Sequence, residues 1–376
     1  MNGKPVIGVI GLGTMGLGIV QVYAQAGFDV LATDAQAPTR ASAFSRLAAV
    51  LELRVAAGKL TAEARDTTLA RLAVVDGPQA MGAADLVIEA IIEQLETKQA
   101  LLAALEAAVS AQAVLATNTS SLSVAAIAQG LAHPTRALGL HFFNPAPAMK
   151  LVELVAHSGT SAQALALARS VTEAAGKIVI ACRDRPGFIV NRCARPFYGE
   201  AMALLEEGRS PADIDAAMLA AGYRIGPLSL IDLIGADISL AASQGLSAAM
   251  GGHPRYHVFS ALKAQVAKGD LGRKSGRGFL FPQQPGAAPA DAAAIALRIE
   301  AMLANEAASL LAEGGIDEAG IDQAMRLGLN FPRGPFEAAR THGLARIRAK
   351  LMALEEAAPP HLKGRYAISP MLGAMP

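Results

Sequence analysis

The stretch Val6-Ile-Gly-Val-Ile-Gly11-Leu-Gly13-Thr-Met-Gly16, with an apolar-faced run to Gly27 and a second apolar run ending at Asp34, decides the fold. Val6–Ile10 is short, β-branched and uncharged, the pattern of a strand covered on both faces. Three glycines follow at G-x-G-x-x-G spacing, and Ile19, Val22 and Tyr23 then fall on one helical face. In such a unit Gly11 permits a tight turn, Gly13 lets backbone approach a pyrophosphate, and Gly16 lets helix and strand pack closely. The helix start offers unpaired N–H groups and a favourable dipole to phosphate, so Gly11, Gly13, Thr14, Met15 and Gly16 form the candidate cofactor cradle. Asp34 lies 18 residues after Gly16, at the end of the second strand. A carboxylate there accepts from ribose hydroxyls and repels a 2′-phosphate. No arginine directly follows it, so NAD is favoured over NADP. The bland alternative is a plain glycine turn, with Asp34 capping the next segment.

Outward from this unit, short apolar runs recur at Leu72–Val75, Leu86–Glu89, Val114–Thr117, Ala137–Phe142, Leu151–Val155 and Ile178–Ile180. Lys98–Val109 and Ala162–Ala175 read as intervening helices, the latter ended by Gly176. A polar helix pair is predicted over roughly Arg40–Leu72. The pattern predicts a Rossmann-type, doubly wound α/β domain on a parallel sheet over residues 1–184.

Beyond Asp184 strand-like runs stop and helical periodicity takes over, with Arg185-Pro186-Gly187 at the boundary. The Pro-rich stretch 282–289 divides the helical part into 185–282 and 291–376. These two segments resemble each other. Glu200–Gly208 matches Glu306–Gly314, Ile214-Asp215 matches Ile321-Asp322, and Gly226-Pro227 matches Gly334-Pro335, with the offset drifting only from 106 to 108 residues. An all-α C-terminal region with an internal repeat is expected.

Composition narrows the function classes. A formal net charge of +1 and the lack of a basic cluster argue against a nucleic-acid partner. Mean hydropathy is positive, yet no uninterrupted apolar run is long enough for a membrane span. Two cysteines, Cys182 and Cys193, form neither a disulfide framework nor a metal-ligand cluster, so a reducing cytoplasm and no metal are expected. The N-terminus reaches a strand without a basic, apolar leader, so no signal peptide is expected.

His141 ends an apolar run, where sheet C-termini place ligands, and a histidine titrates near neutrality as a general base must. Taken alone it would more often be a satisfied structural residue. Glu153 interrupts Leu151–Val155 and needs a partner if buried. A solvated strand face is the alternative.

Four motifs carry a resemblance: Asn118-Thr-Ser-Ser121, His141-Phe-Phe-Asn-Pro145, Lys150-Leu-Val-Glu153 and Pro186-Gly-Phe-Ile-Val-Asn-Arg192. In order and spacing they resemble the 3-hydroxyacyl-CoA dehydrogenase family, through Phe281 and again over Asn305–Ile347. Within the family the chain is most similar to bacterial members acting on 3-hydroxybutyryl-CoA or 3-hydroxyadipyl-CoA. The resemblance implies an NAD-dependent oxidoreductase that reversibly oxidises (3S)-3-hydroxyacyl-CoA in fatty-acid or aromatic-acid degradation. It implies His141 as the base, Glu153 as its orienting carboxylate, Ser120 against substrate and nicotinamide, and Asn191 near the substrate oxygen. It gives Asn144 a cofactor contact, and places Glu93, Lys98 and Lys274 near the cofactor, where a solvated surface charge is the alternative for all three. Asn118 joins the cofactor set. Arg54 and Lys59, in the helical insertion, are candidates for the CoA phosphates. Two departures stand out: Leu12 where the family often has alanine, and a short linker between the repeats. In shorter members single helical copies meet across a dimer interface. A chain carrying two copies could be a monomer through intrachain pairing, or a homodimer. Competing readings are a 3-hydroxy-acid dehydrogenase with a lysine base and a non-catalytic NAD-binding protein. The acyl chain itself is not legible from the sequence.

Overall fold

The computed structural model describes residues 3–376, which separate into two compact units, up to Arg185 and from Pro186 onward. The first unit runs β1 (Ile7–Ile10), α1 (Thr14–Gln25), β2 (Val30–Thr33), α2 (Ala37–Ala56), α3 (Ala62–Ala70), β3 (Leu72–Val74), β4 (Leu86–Glu89), α4 (Leu95–Ala108), β5 (Val114–Thr117), α5 (Val124–Ala128), β6 (Ala137–Phe142), β7 (Leu151–Ala156), α6 (Ala162–Ala174) and β8 (Ile178–Arg183). Its eight strands form one sheet in the order β3-β2-β1-β4-β5-β6-β7-β8. The chain doubles back from β3 to β4 across β1, which creates the switch point beside the glycine loop.

Two expectations need correction. The sheet is not wholly parallel: β7 runs antiparallel to β6. Only a short connection joins them, and a parallel return needs a longer crossover. Nor is every strand covered on both faces, because Ala73 and Val74 of the edge strand β3 are exposed. The predicted helix pair is present, starting at Ala37 rather than near Arg40, with Pro38 in its first turn where proline is tolerated. Both faces of the central strands are filled by aliphatic side chains. One cluster holds Ile7, Val9, Ile88, Leu138 and Leu140; the other holds Ile10, Val87, Leu115 and Ala137.

The second unit is helical: α7 (Val190–Cys193), α8 (Arg195–Glu206), α9 (Pro211–Ala220), α10 (Pro227–Ile234), α11 (Ala236–Ala249), α12 (Ser260–Ala267), α13 (Ala292–Ala312), α14 (Glu318–Leu329), α15 (Pro335–His342), α16 (Leu344–Ala357) and α17 (Pro370–Ala374). Both sequence segments lie within this one unit. Corresponding positions are built alike. Asp215 accepts the backbone N–H of Leu228 and Ser229 at the start of α10, and Asp322 accepts those of Phe336 and Glu337 at the start of α15. A Cβ on Gly226 would lie 2.2 Å from the Asp215 carboxyl carbon, and one on Gly334 2.3 Å from that of Asp322, so each carboxylate requires its glycine.

Buried charges follow the same correspondence. Arg192 donates to Glu306 (2.6 Å) and Glu313 (2.7 Å), and Arg255 and Tyr256 also reach Glu306. Reciprocally, Arg298 donates to Glu200 (2.8 Å) and Glu207 (2.6 Å), and Arg365 and Tyr366 also reach Glu200. Each segment thus supplies a fully buried glutamate that the other segment's arginines neutralise. Burial pushes the Glu200 carboxyl up, but Arg365 and Arg298 outweigh it and hold the group below the ordinary carboxylate range.

Candidate active site

The glycine loop ends β1. Gly11 has a φ of +90°, and a Cβ there would sit 2.6 Å from the Ala90 carbonyl oxygen. A Cβ on Gly16 would lie 1.6 Å from the Gly11 carbonyl oxygen, so α1 packs against the turn only with glycine at that position. Gly13 differs: a Cβ on it would meet nothing within 4 Å. Gly13 is also the N-cap of α1, and no side chain caps the helix. The first-turn N–H groups of Thr14, Met15 and Gly16 thus have no capping side chain, and the space beside Gly13 is open. A backbone cradle next to an open glycine fits the phosphates of a dinucleotide.

Asp34 follows β2. Its Oδ2 accepts from the Leu12 N–H (2.7 Å) and its Oδ1 from the Gln36 N–H (2.8 Å). The carboxylate thus ties the glycine loop to the second strand and keeps lone pairs for ribose hydroxyls. Although no arginine directly follows Asp34, Arg40 returns to this spot and donates to the Asp34 carbonyl (2.7 Å). Arg46, which sequence reasoning missed, reaches from α2 to the Leu12 carbonyl (2.8 Å). The sequence gives no signal for that contact, because Arg46 sits on a helix face that looks solvated.

A buried charge chain occupies the ends of β4 and β5. Glu89 ends β4 fully buried, and Lys98 Nζ sits 2.9 Å from both its carboxylate oxygens. Thr117 also donates to Glu89. Lys98 reaches Glu93 as well, at 3.3 Å. Lys98 is 1% exposed, which overturns the surface-charge alternative for it. Glu93 Oε1 accepts from Thr119 Oγ1, from the N–H groups of Ser120 and Ser121, and from Ser121 Oγ. Partial burial raises the Glu93 pKa. The hydroxyls, Lys98 and the Ser120 N–H outweigh that and hold it below its ordinary value. Glu93 therefore fixes the Asn118–Ser121 loop. Glu89 was missed, yet its signal was the one that singled out Glu153: a carboxylate inside an apolar strand.

The His141–Glu153 pair comes from β6 and β7. Antiparallel register sets His141 directly opposite Glu153. His141 Nδ1 lies 2.6 Å from Glu153 Oε2, with Glu153 fully buried. A solvated strand face is thereby excluded for Glu153. The twelve-residue spacing is a cross-strand pair of a hairpin, the closest approach two strands allow. The Phe143 ring packs 4.5 Å from the imidazole, centroid to centroid. Asn118 Oδ1 accepts the Phe142 N–H (2.7 Å), linking the serine loop to the histidine strand. After β6 the chain turns through a cis Asn144–Pro145 bond, and Lys177 holds the Ala146 and Met149 carbonyls beyond it.

The remaining candidates sit on other elements. Arg54, half-buried, and Lys59, exposed, meet at the end of α2, where the Lys59 N–H donates to the Arg54 carbonyl (2.8 Å). Asn191 is in α7 of the helical unit. Lys274, also in that unit, donates to Asp237 at the start of α11. Among the described residues no cluster of His, Cys, Asp and Glu could hold a metal ion, and no helix is long and apolar enough to cross a membrane.

Residues 6–185 match the 3-hydroxyacyl-CoA dehydrogenase NAD binding domain, and residues 187–281 and 295–375 match the C-terminal domain of the same family. The chain belongs to the 3-hydroxyacyl-CoA dehydrogenase family. It is 46% identical over 274 residues to the 3-hydroxyadipyl-CoA dehydrogenase of Escherichia coli K12, covering 72% of this chain and 58% of that protein. A probable 3-hydroxybutyryl-CoA dehydrogenase of Deinococcus radiodurans is 38% identical over 278 residues, covering 72% of this chain and 98% of that protein. The crystal structure of 3-hydroxybutyryl-CoA dehydrogenase from E. coli K12 superposes with a TM-score of 0.90 at 34% identity, over 99% of this chain and 98% of that one. The Rossmann-type first unit, its NAD-binding character and the helical C-terminal region thus agree with the expectations from sequence.

Proposed function

We propose that the chain reversibly oxidises a (3S)-3-hydroxyacyl-CoA to the 3-oxoacyl-CoA with NAD, taking a short-chain or adipyl substrate in fatty-acid or aromatic-acid degradation. The observation that carries this reading is the buried His141–Glu153 pair at the C-terminal end of β6, on the same sheet as the dinucleotide cradle. NAD held at the glycine cradle would supply the acceptor for the C3 hydride. His141 takes the hydroxyl proton on Nε2, because Nδ1 faces Glu153. The carboxylate fixes the ring and stabilises the imidazolium that forms. Ser120, set by the Glu93 clamp, and Asn191, by its place in the family motif, donate to the substrate oxygen as negative charge develops there. Gly11, Gly13, Thr14, Met15, Gly16, Asp34, Asn118, Asn144, Glu93, Lys98 and Lys274 would hold or border the cofactor. Arg54 and Lys59 would meet CoA phosphates.

The helical segments 185–282 and 291–376 are read as two copies of one domain, supported by their reciprocal glutamate–arginine exchange. On that reading the chain is a monomer through intrachain pairing, with a homodimer as the alternative, and its two free cysteines fit a cytoplasmic location. The assay is direct: NADH absorbance followed with acetoacetyl-CoA. Turnover supports the dehydrogenase reading. NADH binding without turnover at any acyl length would instead favour the non-catalytic one.

A further inference from the structure

The arginines of the reciprocal network each face a carboxylate: Arg192 and Arg255 meet Glu306, and Arg298 and Arg365 meet Glu200. Arg195, at the start of α8, does not. Among the described residues it makes no ion pair. Its Nε donates to the Asn191 carbonyl (3.1 Å), its Nη1 donates to Ser243 Oγ (3.3 Å), and its guanidinium lies 4.8 Å from the Tyr198 ring centroid. The Ser243 hydroxyl spends its own proton on the Ser239 carbonyl, so its lone pairs face the guanidinium and hold it in place. Nη2 carries no hydrogen bond to the described residues. The group is positioned on both sides with a donor to spare, and its charge is left unanswered. Desolvation lowers the Arg195 pKa. Arg195 is half-buried, and a guanidinium held on both sides without a counter-ion is ready to accept one from a ligand. The position 106 residues on, where the second segment corresponds, holds Ala301 and so has no such cation.

Resting on the proposed activity, we infer that Arg195 is the subsite for a terminal carboxylate on the acyl chain, so that the preferred substrate is a dicarboxylic 3-hydroxyacyl-CoA. Spacing supports the match. Arg195 follows Asn191, the proposed contact of the 3-oxygen, by one helical turn of about 5.4 Å, so both side chains leave the same face. In an adipyl chain the carboxyl carbon lies three carbon–carbon bonds of about 1.5 Å beyond C3, a span of the same order. A guanidinium fork binds a carboxylate with paired hydrogen bonds, and the Tyr198 ring behind it keeps the fork planar to the ligand.

The test compares kcat/KM for 3-hydroxyadipyl-CoA and 3-hydroxybutyryl-CoA in the full chain and in Arg195→Met. The wild type should prefer the adipyl substrate. Arg195→Met should lose roughly 10- to 100-fold on it, the worth of a hydrogen bond to a charged group, and stay within about threefold on the butyryl substrate. Arg195→Lys should recover part of the loss, and it carries the comparison if the methionine variant melts early. Equal losses on both substrates would place Arg195 in scaffolding or CoA binding and overturn the subsite, as would a wild type without preference. A wild type that binds NADH but oxidises neither substrate would overturn the activity itself, and the subsite with it.

Discussion

On the proposed mechanism, His141 carries the chemistry because Glu153 stands opposite it. Replacing His141 with glutamine removes the base and leaves the fold intact, so kcat should drop by about 10²–10⁴. Steady-state NADH production checks this, and a loss of only a few-fold would remove His141 from the base role. Glu93 makes a different prediction at the same scale. Its folded pKa is depressed by the Thr119 and Ser121 hydroxyls, Lys98 and the Ser120 N–H. A carboxylate with a depressed folded pKa contributes stability above its unfolded value of about 4.3, and that contribution is lost as pH falls through the folded value. Melting curves from pH 3 to 7 should therefore show Glu93→Gln less stable than wild type near neutrality. The gap should close below about pH 4. A gap independent of pH would mean the clamp does not depend on charge.

Elements decide what a single residue can do. The α1 N-terminus tolerates the two inner glycines differently. At Gly16 a methyl has no room, 1.6 Å from the Gly11 carbonyl oxygen, whereas at Gly13 it has open space. Gly16→Ala should displace the helix start and lower the melting temperature. Gly13→Ala should melt with the wild type, yet weaken NADH binding because its methyl occupies space reserved for the phosphates. Fluorescence titration with NADH, paired with melting, separates the two. Equal NADH affinity for Gly13→Ala and wild type would place the phosphates elsewhere. The β6–β7 hairpin shows the same dependence. A slip of one residue would turn either His141 or Glu153 to the other face of the sheet and destroy the pair.

Across the whole molecule the helical unit closes on itself. Glu200 and Glu306 are fully buried, and each is neutralised by arginines of the other segment. Glu200→Gln and Glu306→Gln should each destabilise the protein by about 3–5 kcal/mol, because each strands buried arginines without a counter-charge. Urea unfolding measures this, and a silent substitution at either site would show the reciprocity to be ornamental. If the two segments satisfy each other within one chain, light scattering should give a single-chain mass. A dimer joined through these helices would refute the intrachain reading.

Local rules made much of this protein legible in its sequence. Strand boundaries came within a few residues because buried strands need continuous β-branched runs, and the glycine spacing marks a turn that other residues cannot adopt. The His141 and Glu153 positions were legible as polar residues in apolar strands, but their 2.6 Å contact depends on an antiparallel register that no local pattern specifies. Glu89 carried the same signal and passed unnoticed, since its partner Lys98 sits on a helix that reads as solvated until packing buries it. Arg195 carries no local signal, because an arginine at a helix start usually faces water. What sequence alone determined was the set of elements and the candidate chemistry, because propensity and spacing act over a few residues. Which charges are answered and which are left open was decided by tertiary packing, because electrostatic neutralisation depends on distances across the fold rather than on spacing along the chain.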